Sequence, residues 1–339
     1  MNGVTVARSM RNRATLAGIA EQAGVSVATV SYVLNDKPNG RIPEATKLRV
    51  REIAHQLGYV PNVAAQTLRT GKSRVVLVII PNLPINFTMG EMIIAFGREL
   101  DAHGYVAAMF TTGDRKMDLA ATVHATAPVA AYSLAELSGD ERRLLQDRGI
   151  VFMIGALAHL EGGEQWSDSL QRQLIGRQLG HLVALGHTRI GWAHAKDNRL
   201  TGLAAFRLSV ARDWLKANGL PSPVVQAFPL SGVAADKAVA TWRAKGVSAV
   251  GCYNDLWAMA VVEAARRAKL RVPDDLAVIG IDNIPLTDIV EPPLSSVSID
   301  MDRNVQEIVR IMVGRIAGEA PTAPADLDAL IRLVRRGST

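Results

Sequence analysis

The sequence predicts two parts: an all-α helix-turn-helix headpiece, followed by an α/β body made of two doubly wound parallel-sheet subdomains. Three observations support this fold class. Short segments with helical periodicity occupy the first 60 residues, apolar strands alternate with amphipathic helices from residue 73 onward, and this alternation restarts near residue 164. A chain of 339 residues, 48% of them hydrophobic, is long enough to bury the cores that these parts require.

The net charge is distributed unevenly along the chain. Residues 1–74 contain 11 Lys and Arg against 4 Asp and Glu, a balance of +7, which leaves −1 for the rest of a chain whose total is +6. A basic module attached to a nearly neutral body is typical of a protein that binds a polyanion, such as nucleic acid. A solvated basic tail is the alternative, but a tail would lack the periodic apolar pattern found here.

The headpiece helices follow from capping residues and apolar spacing. Thr15 can cap a first helix, Gly24 can supply the turn after it, and Ser26 can cap a second helix. Pro43 stands where a third helix can begin. The residues predicted to face inward on the second helix are Val30, Val33 and Leu34, and those on the third are Ala45, Leu48, Ile53, Ala54 and Leu57.

The second helix is rich in small and β-branched residues, which are poor helix formers. Small side chains suit a helix end that enters a DNA major groove about 12 Å wide. We therefore predict DNA contacts from the residues on and around this helix: Thr15, Ser26, Val27, Ala28, Thr29, Ser31, Tyr32 and Asn35. The hydroxyl groups among them can instead cap or solvate the helix, so the role of each one stays open.

The body alternates strands with helices. The apolar runs of strand length are RVVLVII, YVAAMF, VAAYSL and IVFMIG in the first half, and RIGWAHA, VVQAF, AVGCYN and LAVIGID in the second. In the second half, helices are expected at 168–185, 199–218, 233–245 and 256–269. Parallel sheets bind ligands at the carboxyl ends of their strands, so two facing halves predict a cleft between them.

Two stretches of the first 73 residues resemble a known family. TLAGIAEQAGVSVATVSYVLN and IPEATKLRVREIAHQLGYVPNVAAQTLRTGKS are similar to the DNA-binding headpiece and hinge of the lactose/galactose repressor family. The resemblance implies a headpiece at 1–60, a hinge at 61–72 and, at 73–339, a body like the type I periplasmic binding proteins. It also implies that this body divides into 73–163 with 292–318, and 164–291 with 319–339.

The hinge of that family folds on operator DNA and places a leucine in the minor groove. By this match, Asn62, Ala65 and Leu68 join the predicted DNA contacts, with Leu68 as the residue that wedges between base steps. From the residues alone, Leu68 can equally belong to a hydrophobic core.

The resemblance extends through the body and implies an effector site. Arg199 matches the arginine of the family's RLxGF segment, Asn254 and Asp255 match its ND pair, and Asp282 matches the aspartate after its GYD or GFD strand. A guanidinium with carboxylates can hold several hydroxyls of a sugar or a related metabolite. The alternative is that these charged residues cap helices or pair with one another.

Two departures from the family pattern bear on that site. Ile299 stands where the family often has glutamine, and the segment 111–134 is shorter than usual. A less polar effector, or none, becomes compatible with the sequence. The aromatic residues on which a ring could stack are Trp166, Trp192 and Trp257, and each of them can equally be core.

No catalytic motif is found. The seven histidines lack HExxH or other metal spacing, and neither GxSxG nor GxxxxGK[ST] occurs, so we expect no enzyme activity, no metal and no other cofactor. A single cysteine, Cys252, and the lack of a signal peptide or of an apolar run of about 18 residues predict a cytoplasmic protein without membrane contact.

Together these features predict an operator-specific transcriptional regulator, a repressor controlled by a small-molecule effector. Its expected partners are a near-palindromic double-stranded DNA operator, the effector and a second copy of the chain. With no heptad helix after RLVRRGST, we expect dimers rather than tetramers. A DNA-binding regulator or architectural protein without an effector is the alternative.

Overall fold

The computed structural model describes residues 15–34, 42–59, 73–80, 82–84, 86–111, 118–134, 137–155, 165–231, 233–320 and 326–339. Asn35 and the predicted hinge contacts Asn62, Ala65 and Leu68 lie outside the described residues, so their roles stay predictions. The chain forms two compact units, Met1–Ser73 and Arg74–Thr339.

The first unit contains three helices: α1 (Leu16–Ala23), α2 (Val27–Leu34) and α3 (Glu44–Gln56). Thr15 caps α1 as predicted, because its Oγ1 accepts a hydrogen bond from the amide of Gly18 at 3.2 Å. Gly24 ends α1 in the left-handed conformation with a φ of 63°, which lets the chain turn directly toward α2. The buried core of this unit consists of Ile19, Ala20, Ala23, Val30, Val33, Val50 and Ala54.

The predicted buried face of α3 is only partly correct. Ala54 is buried, but Leu48 is 63% exposed, and Ala45 and Leu57 also lie in solvent. Val50, which the prediction left out, fills the core instead. The reason is that Leu48 lies about 200° around the helix from Val50, so the face of α3 that packs against α1 and α2 cannot include both residues.

The first lobe of the second unit is a four-stranded parallel sheet with the order β2-β1-β3-β4. Its strands are β1 (Val75–Ile80), β2 (Val106–Thr111), β3 (Ala130–Ser133) and β4 (Val151–Ile154). Its helices are α4 (Phe87–Ala102), α5 (Leu119–Thr126) and α6 (Gly139–Asp147). The last five residues of β1 are all buried, as expected for a central parallel strand that is covered on both faces.

The second lobe is a six-stranded sheet with the order β10-β9-β8-β7-β5-β6. Its strands are β5 (Ile190–Ala195), β6 (Val224–Phe228), β7 (Ala249–Cys252), β8 (Ala277–Ile281), β9 (Ser295–Ile299) and β10 (Ile331–Val334). Its helices are α7 (Gln165–Ala184), α8 (Thr201–Ala217), α9 (Asp236–Ala244) and α10 (Asp255–Arg267). Every strand run named from the sequence is therefore a strand, and β10 pairs antiparallel with β9.

One boundary differs from the predicted division, which assigned 292–318 to the first lobe. Strand β9 pairs with β8 in the second sheet, with Ile279 opposite Ser295. The next helix, α11 (Met301–Ala317), packs against α4 of the first lobe, and Arg98 forms an ion pair with Asp302 at 2.7 Å. The chain therefore changes lobes after Ile299.

The order of the strands locates the ligand-binding edge. In the first sheet, the chain runs from β1 to one neighbour and then returns to the other side, so the switch lies between β1 and β3. In the second sheet, the switch lies between β5 and β7. The carboxyl ends of these strands are where doubly wound folds bind ligands.

Candidate DNA-binding and effector sites

The first turn of α2 lies on the surface of the first unit. Of the predicted recognition residues on α2 and at its start, the exposed ones are Ser26, Val27, Ala28 and Tyr32, and the half-buried ones are Thr29 and Ser31. Val27 is 48% exposed and Tyr32 is 41% exposed, so an apolar group and a phenol both face solvent. Val30 is completely buried on the opposite side and holds the helix against its neighbours.

Ser26 caps α2. Its Oγ accepts a hydrogen bond from the amide of Thr29 at 3.1 Å and lies 2.9 Å from the hydroxyl of Thr29. The capping role that the sequence left open is therefore present. The small side chains around the cap leave the start of α2 accessible to a phosphate, which the positive end of a helix dipole attracts.

A cavity of about 120 Å³ lies between the two lobes. From the first lobe it is lined by Leu83, Pro84, Asn86, Thr88, Met89 and Met92, and from the second lobe by Leu200, Leu203, Arg207, Tyr253, Asn254 and Asp282. Met301, at the start of α11, completes the wall. Pockets for small molecules usually begin at about 300 Å³, so a ligand of that size requires the lobes to move apart.

A larger depression of about 380 Å³ lies on the second lobe, between the segments that precede β7 and β8. Val247, Ser248 and Leu276, which come just before these strands, contribute to it. This is the amino end of the sheet, opposite to the edge that binds ligands in doubly wound folds. The smaller cavity between the lobes is therefore the better candidate for an effector site.

Asn254 and Asp282 meet in the wall of this cavity. Asn254 caps α10, since its Oδ1 accepts hydrogen bonds from the amides of Leu256 at 3.1 Å and Trp257 at 3.3 Å. Its side chain also bonds to Asp282, where the amide group must donate to the carboxylate. Burial raises the pKa of Asp282 to about 6, against the lowering effect of the nearby Arg207 charge and of this hydrogen bond.

The backbone of Asp282 adopts a φ of 107°, which is strained for a residue with a side chain. The fold therefore holds this carboxylate at the cavity against a local preference, as functional sites often do.

Asp255 has a different position from the one that the family match implied. It is completely buried and lies outside the cavity wall. Its Oδ1 accepts a hydrogen bond from the Ser296 hydroxyl at 2.6 Å, and its Oδ2 accepts one from the Ile284 amide at 2.9 Å. Asp255 thus connects α10 to β9 and to the loop after β8.

Arg199 also lies outside the cavity wall and pairs with Asp197. Its Nε donates to Asp197 Oδ1 at 3.1 Å, and its Nη2 donates to Oδ2 at 2.7 Å. These hydrogen bonds lower the pKa of Asp197. This is the pairing that the sequence left as an alternative, and a ligand contact by Arg199 stays a prediction.

The tryptophans do not provide a stacking surface in the part of the cavity that the structure describes. Trp192 is completely buried, and Trp257 is 3% exposed with its indole donating to the Phe228 carbonyl at 3.0 Å. The side chain of Trp166 lies outside the described residues. Ile299 is half-buried, packs against the core and pairs with Ile331 of β10.

Arg207 is the charged cavity residue that the sequence interpretation missed. It is 5% exposed and lies on the inner face of α8. A signal was present, because Arg207 follows Ala204 by three positions and precedes Val210 and Ala211 by three and four, which places it within an apolar helical stripe. A charged residue in such a stripe is almost never buried without a partner or a function.

Both units match known family models. Residues 15–62 match the bacterial regulatory proteins of the lacI family, and residues 179–339 match a periplasmic binding protein-like domain. A DNA-binding helix-turn-helix unit followed by such a domain defines a class of protein, the helix-turn-helix regulators of transcription.

Relatives and solved structures agree with this class. The transcriptional regulator CelR of Thermobifida fusca is 31% identical, over 97% of this chain and 99% of that protein. The regulator MalR of Streptomyces coelicolor is 29% identical, over 96% of each chain. The chain belongs to the lacI family of bacterial regulatory proteins.

Two solved structures share its fold. The lac repressor dimer bound to operator and an anti-inducer superposes with a TM-score of 0.73 at 21% identity, covering 96% of this chain and 99% of that one. A complex of the regulator CelR with cellobiose superposes with a TM-score of 0.62 at 25% identity, covering 96% and 100%. Within the described residues, every helix is too short or too polar to span a bilayer.

Proposed function

We propose that the protein is a repressor that binds a near-palindromic operator as a homodimer and changes its operator affinity when a sugar or a related metabolite enters the cavity between the lobes. The observation that carries the proposal is a polar set in the cavity wall, with Asn254 and Asp282 at the carboxyl ends of β7 and β8 and Arg207 on α8. The same chain exposes small side chains on the first turn of α2. A regulator of this kind acts in the cytoplasm and needs no cofactor besides the effector.

The effector class follows from the donors and acceptors in the cavity wall. A guanidinium donates, a carboxylate accepts and an amide does both, which together match the hydroxyl groups of a sugar. A regulator named CelR, whose structure shares this fold, forms a complex with cellobiose. We infer that ligand entry changes the spacing of the lobes, so operator and effector affinities are coupled reciprocally. The predicted hinge at 61–72, through which the coupling would pass, lies outside the described residues.

Helix α4 has an exposed apolar face that we propose as the dimer interface. Phe87 is 51% exposed and Ile94 is 68% exposed, and their spacing of seven residues places both on one face of the helix. Gly90 lies between them on that face, with no atom within 4 Å of the position of a Cβ. A flat apolar face of this kind fits a second copy of the same helix across a twofold axis.

The dimer is tested by replacing Ile94 with aspartate. We expect the molar mass in sedimentation to fall from that of two chains to that of one, with a loss of operator affinity, because each monomer contributes only one headpiece. Leu185→Asp is the control, since Leu185 is also 50% exposed but lies after α7. An Ile94→Asp protein that remains dimeric contradicts the assignment of this face.

A regulator without an effector is the second candidate, and the small volume of the cavity favours it. One measurement, operator affinity with and without added metabolites, distinguishes the two candidate functions. Operator affinity that changes with a metabolite supports the repressor with an effector, whereas sequence-selective binding that no sugar or sugar derivative alters supports the second candidate.

DNA recognition by α2 is tested with Ala28→Leu. The added bulk on the exposed first turn should lower the affinity for a selected operator by at least tenfold, because it holds the helix away from the base edges. Gln56→Leu adds a similar apolar side chain at the exposed end of α3 and should leave the affinity unchanged. Equal operator affinity of the Ala28→Leu variant and the original protein contradicts the proposal.

A further inference from the structure

Arg207 is fixed inside the cavity wall by three contacts. Its Nε donates to Gln171 Oε1 at 3.0 Å, and its Nη1 donates to the carbonyl oxygen of Tyr253 at 2.6 Å. Its guanidinium also lies over the ring of Tyr253, 5.0 Å from the centroid. With 5% of the residue exposed and its place in the cavity lining, the guanidinium has a defined position and direction.

All three contacts are with uncharged groups. Among the residues that the structure describes, no carboxylate forms an ion pair with Arg207, and its Nη2 has no hydrogen-bond acceptor. Asp282 is close enough for the Arg207 charge to lower the pKa of its carboxyl, but the hydrogen bond of Asp282 is with Asn254. Arg207 therefore has a negatively charged neighbour in Asp282, but no anion in the described part of the chain is hydrogen-bonded to its guanidinium, and its Nη2 keeps its capacity to donate.

Two exposed arginines of the same lobe show the opposite arrangement. Arg199 pairs with Asp197, Arg271 pairs with Asp275, and each uses two nitrogens of its guanidinium. Water would have compensated these charges in any case. Arg207 is buried and lines the cavity, and among the described residues no carboxylate is hydrogen-bonded to it.

We propose that the cleft ligand carries a carboxylate that binds the free Nη2 edge of Arg207, and that the effector is therefore a hydroxylated acid such as a sugar acid. This inference rests on the proposed function and names the class of its effector. A carboxylate is favoured over a phosphate ester because the Asp282 carboxylate shares the cavity and would repel a dianion more strongly. The raised pKa of Asp282 also lets a proton offset the added negative charge.

The opposite wall suits the carbon skeleton of such a ligand. Met89 and Met92 of α4 and Met301 of α11 contribute unbranched side chains to the lining. Methionine changes rotamer easily, so this wall can adapt when the lobes move apart around a ligand.

The experiment uses the full-length protein with D-glucuronate and D-galacturonate, the methyl ester of each acid, and the neutral parents glucose and galactose. Binding is measured by calorimetric titration and by thermal stabilisation. We expect at least one acid to bind at least tenfold more tightly than its ester and its neutral parent, because only the acid supplies the anion. Equal affinity of acid and ester overturns the inference, and so does the absence of binding by both acids.

Substitutions of Arg207 test whether this residue binds the carboxylate of the ligand. Arg207→Gln should reduce the affinity for the acid to that of its ester, and Arg207→Lys should retain part of the preference because it keeps the charge without the planar fork. Arg212→Gln removes an exposed arginine of the same helix and should change nothing. An Arg207→Gln variant that still prefers the acid contradicts the assignment, and the comparison of acid with ester needs no variant if this one fails to fold.

Operator binding is measured on the same preparations. If the protein selects no operator sequence from random duplexes, the proposed function fails. If it selects an operator but binds neither acid, only the present inference fails.

Discussion

Replacing Asp255 with asparagine separates the charge of this carboxyl group from its hydrogen bonds. Asp255 is completely buried, and its two oxygens accept hydrogen bonds from the Ser296 hydroxyl and the Ile284 amide. An asparagine side chain can keep both contacts, since its oxygen accepts from Ile284 and its NH₂ group donates to Ser296. Burial and the neighbouring Asp282 carboxylate raise the pKa of Asp255 to about 7.

The size of the expected change in unfolding free energy follows from this pKa. The folded protein holds a proton on Asp255 that the unfolded chain releases near its ordinary pKa of 3.8. The resulting stabilisation is fully present below that pH and is lost as the pH rises to about 7, at about 1.4 kcal/mol per pH unit. Asparagine has no proton to lose, so the stability of Asp255→Asn relative to the original protein should rise by about 4 kcal/mol from pH 4 to pH 8.

The assay is urea denaturation of both proteins at half-unit pH steps, followed by tryptophan fluorescence. The difference in unfolding free energy should increase with pH up to about pH 7 and stay constant above it. Asp213→Asn is the control, because Asp213 lies exposed on α8. A stability difference that does not vary with pH refutes the reasoning.

Three further predictions concern other parts of the molecule. Gly280→Ala should destabilise the second lobe by about 3 kcal/mol or more, since a Cβ would lie 2.0 Å from Asp255 Oδ1 and 3.0 Å from its Cα. Gly202→Ala, in open space on α8, should raise stability by about 0.5 kcal/mol. Equal denaturation midpoints of the two variants contradict this prediction. If Arg199 exchanges Asp197 for the ligand, as the family match implies, Arg199→Ala should abolish the effector response in an operator-binding assay without weakening DNA binding. A normal response excludes Arg199 from the effector site. Leu68→Ala should weaken operator binding by about 1 to 3 kcal/mol in a filter-binding titration and leave effector binding intact, and unchanged affinity removes the wedge role.

Much of the fold was predictable because its signals are local. The cap of Thr15 and the left-handed turn at Gly24 depend on neighbouring residues, and both occur as predicted. The strand runs were recognisable because a parallel strand covered on both faces must be apolar along its whole length. The burial of α3 was harder to predict, because the exposure of Leu48 depends on which face of α3 is turned toward α1 and α2.

The positions of some residues of the candidate site were likewise predictable from the sequence, and those of others were not. Asn254 and Asp282 follow β7 and β8 directly, so their places at the carboxyl edge followed from the strands. The neighbouring Asp255 points the other way, into a contact with Ser296, which is 41 residues further along the chain. No local pattern distinguishes these two directions, because the partner is brought there by the pairing of β9 with β8.

By itself the sequence determined the order of helices and strands, the basic headpiece with small side chains on its second helix, and the edge of the sheets at which doubly wound folds bind ligands. Tertiary structure alone decided that Arg207 enters the cavity while Arg199 pairs with Asp197. The physical reason is that periodicity and capping act over a few residues, whereas the cavity is closed by side chains from both lobes. The contacts that place Arg207 join it to Gln171 and Tyr253, 36 and 46 residues away, and they form only when the helices pack on the second sheet.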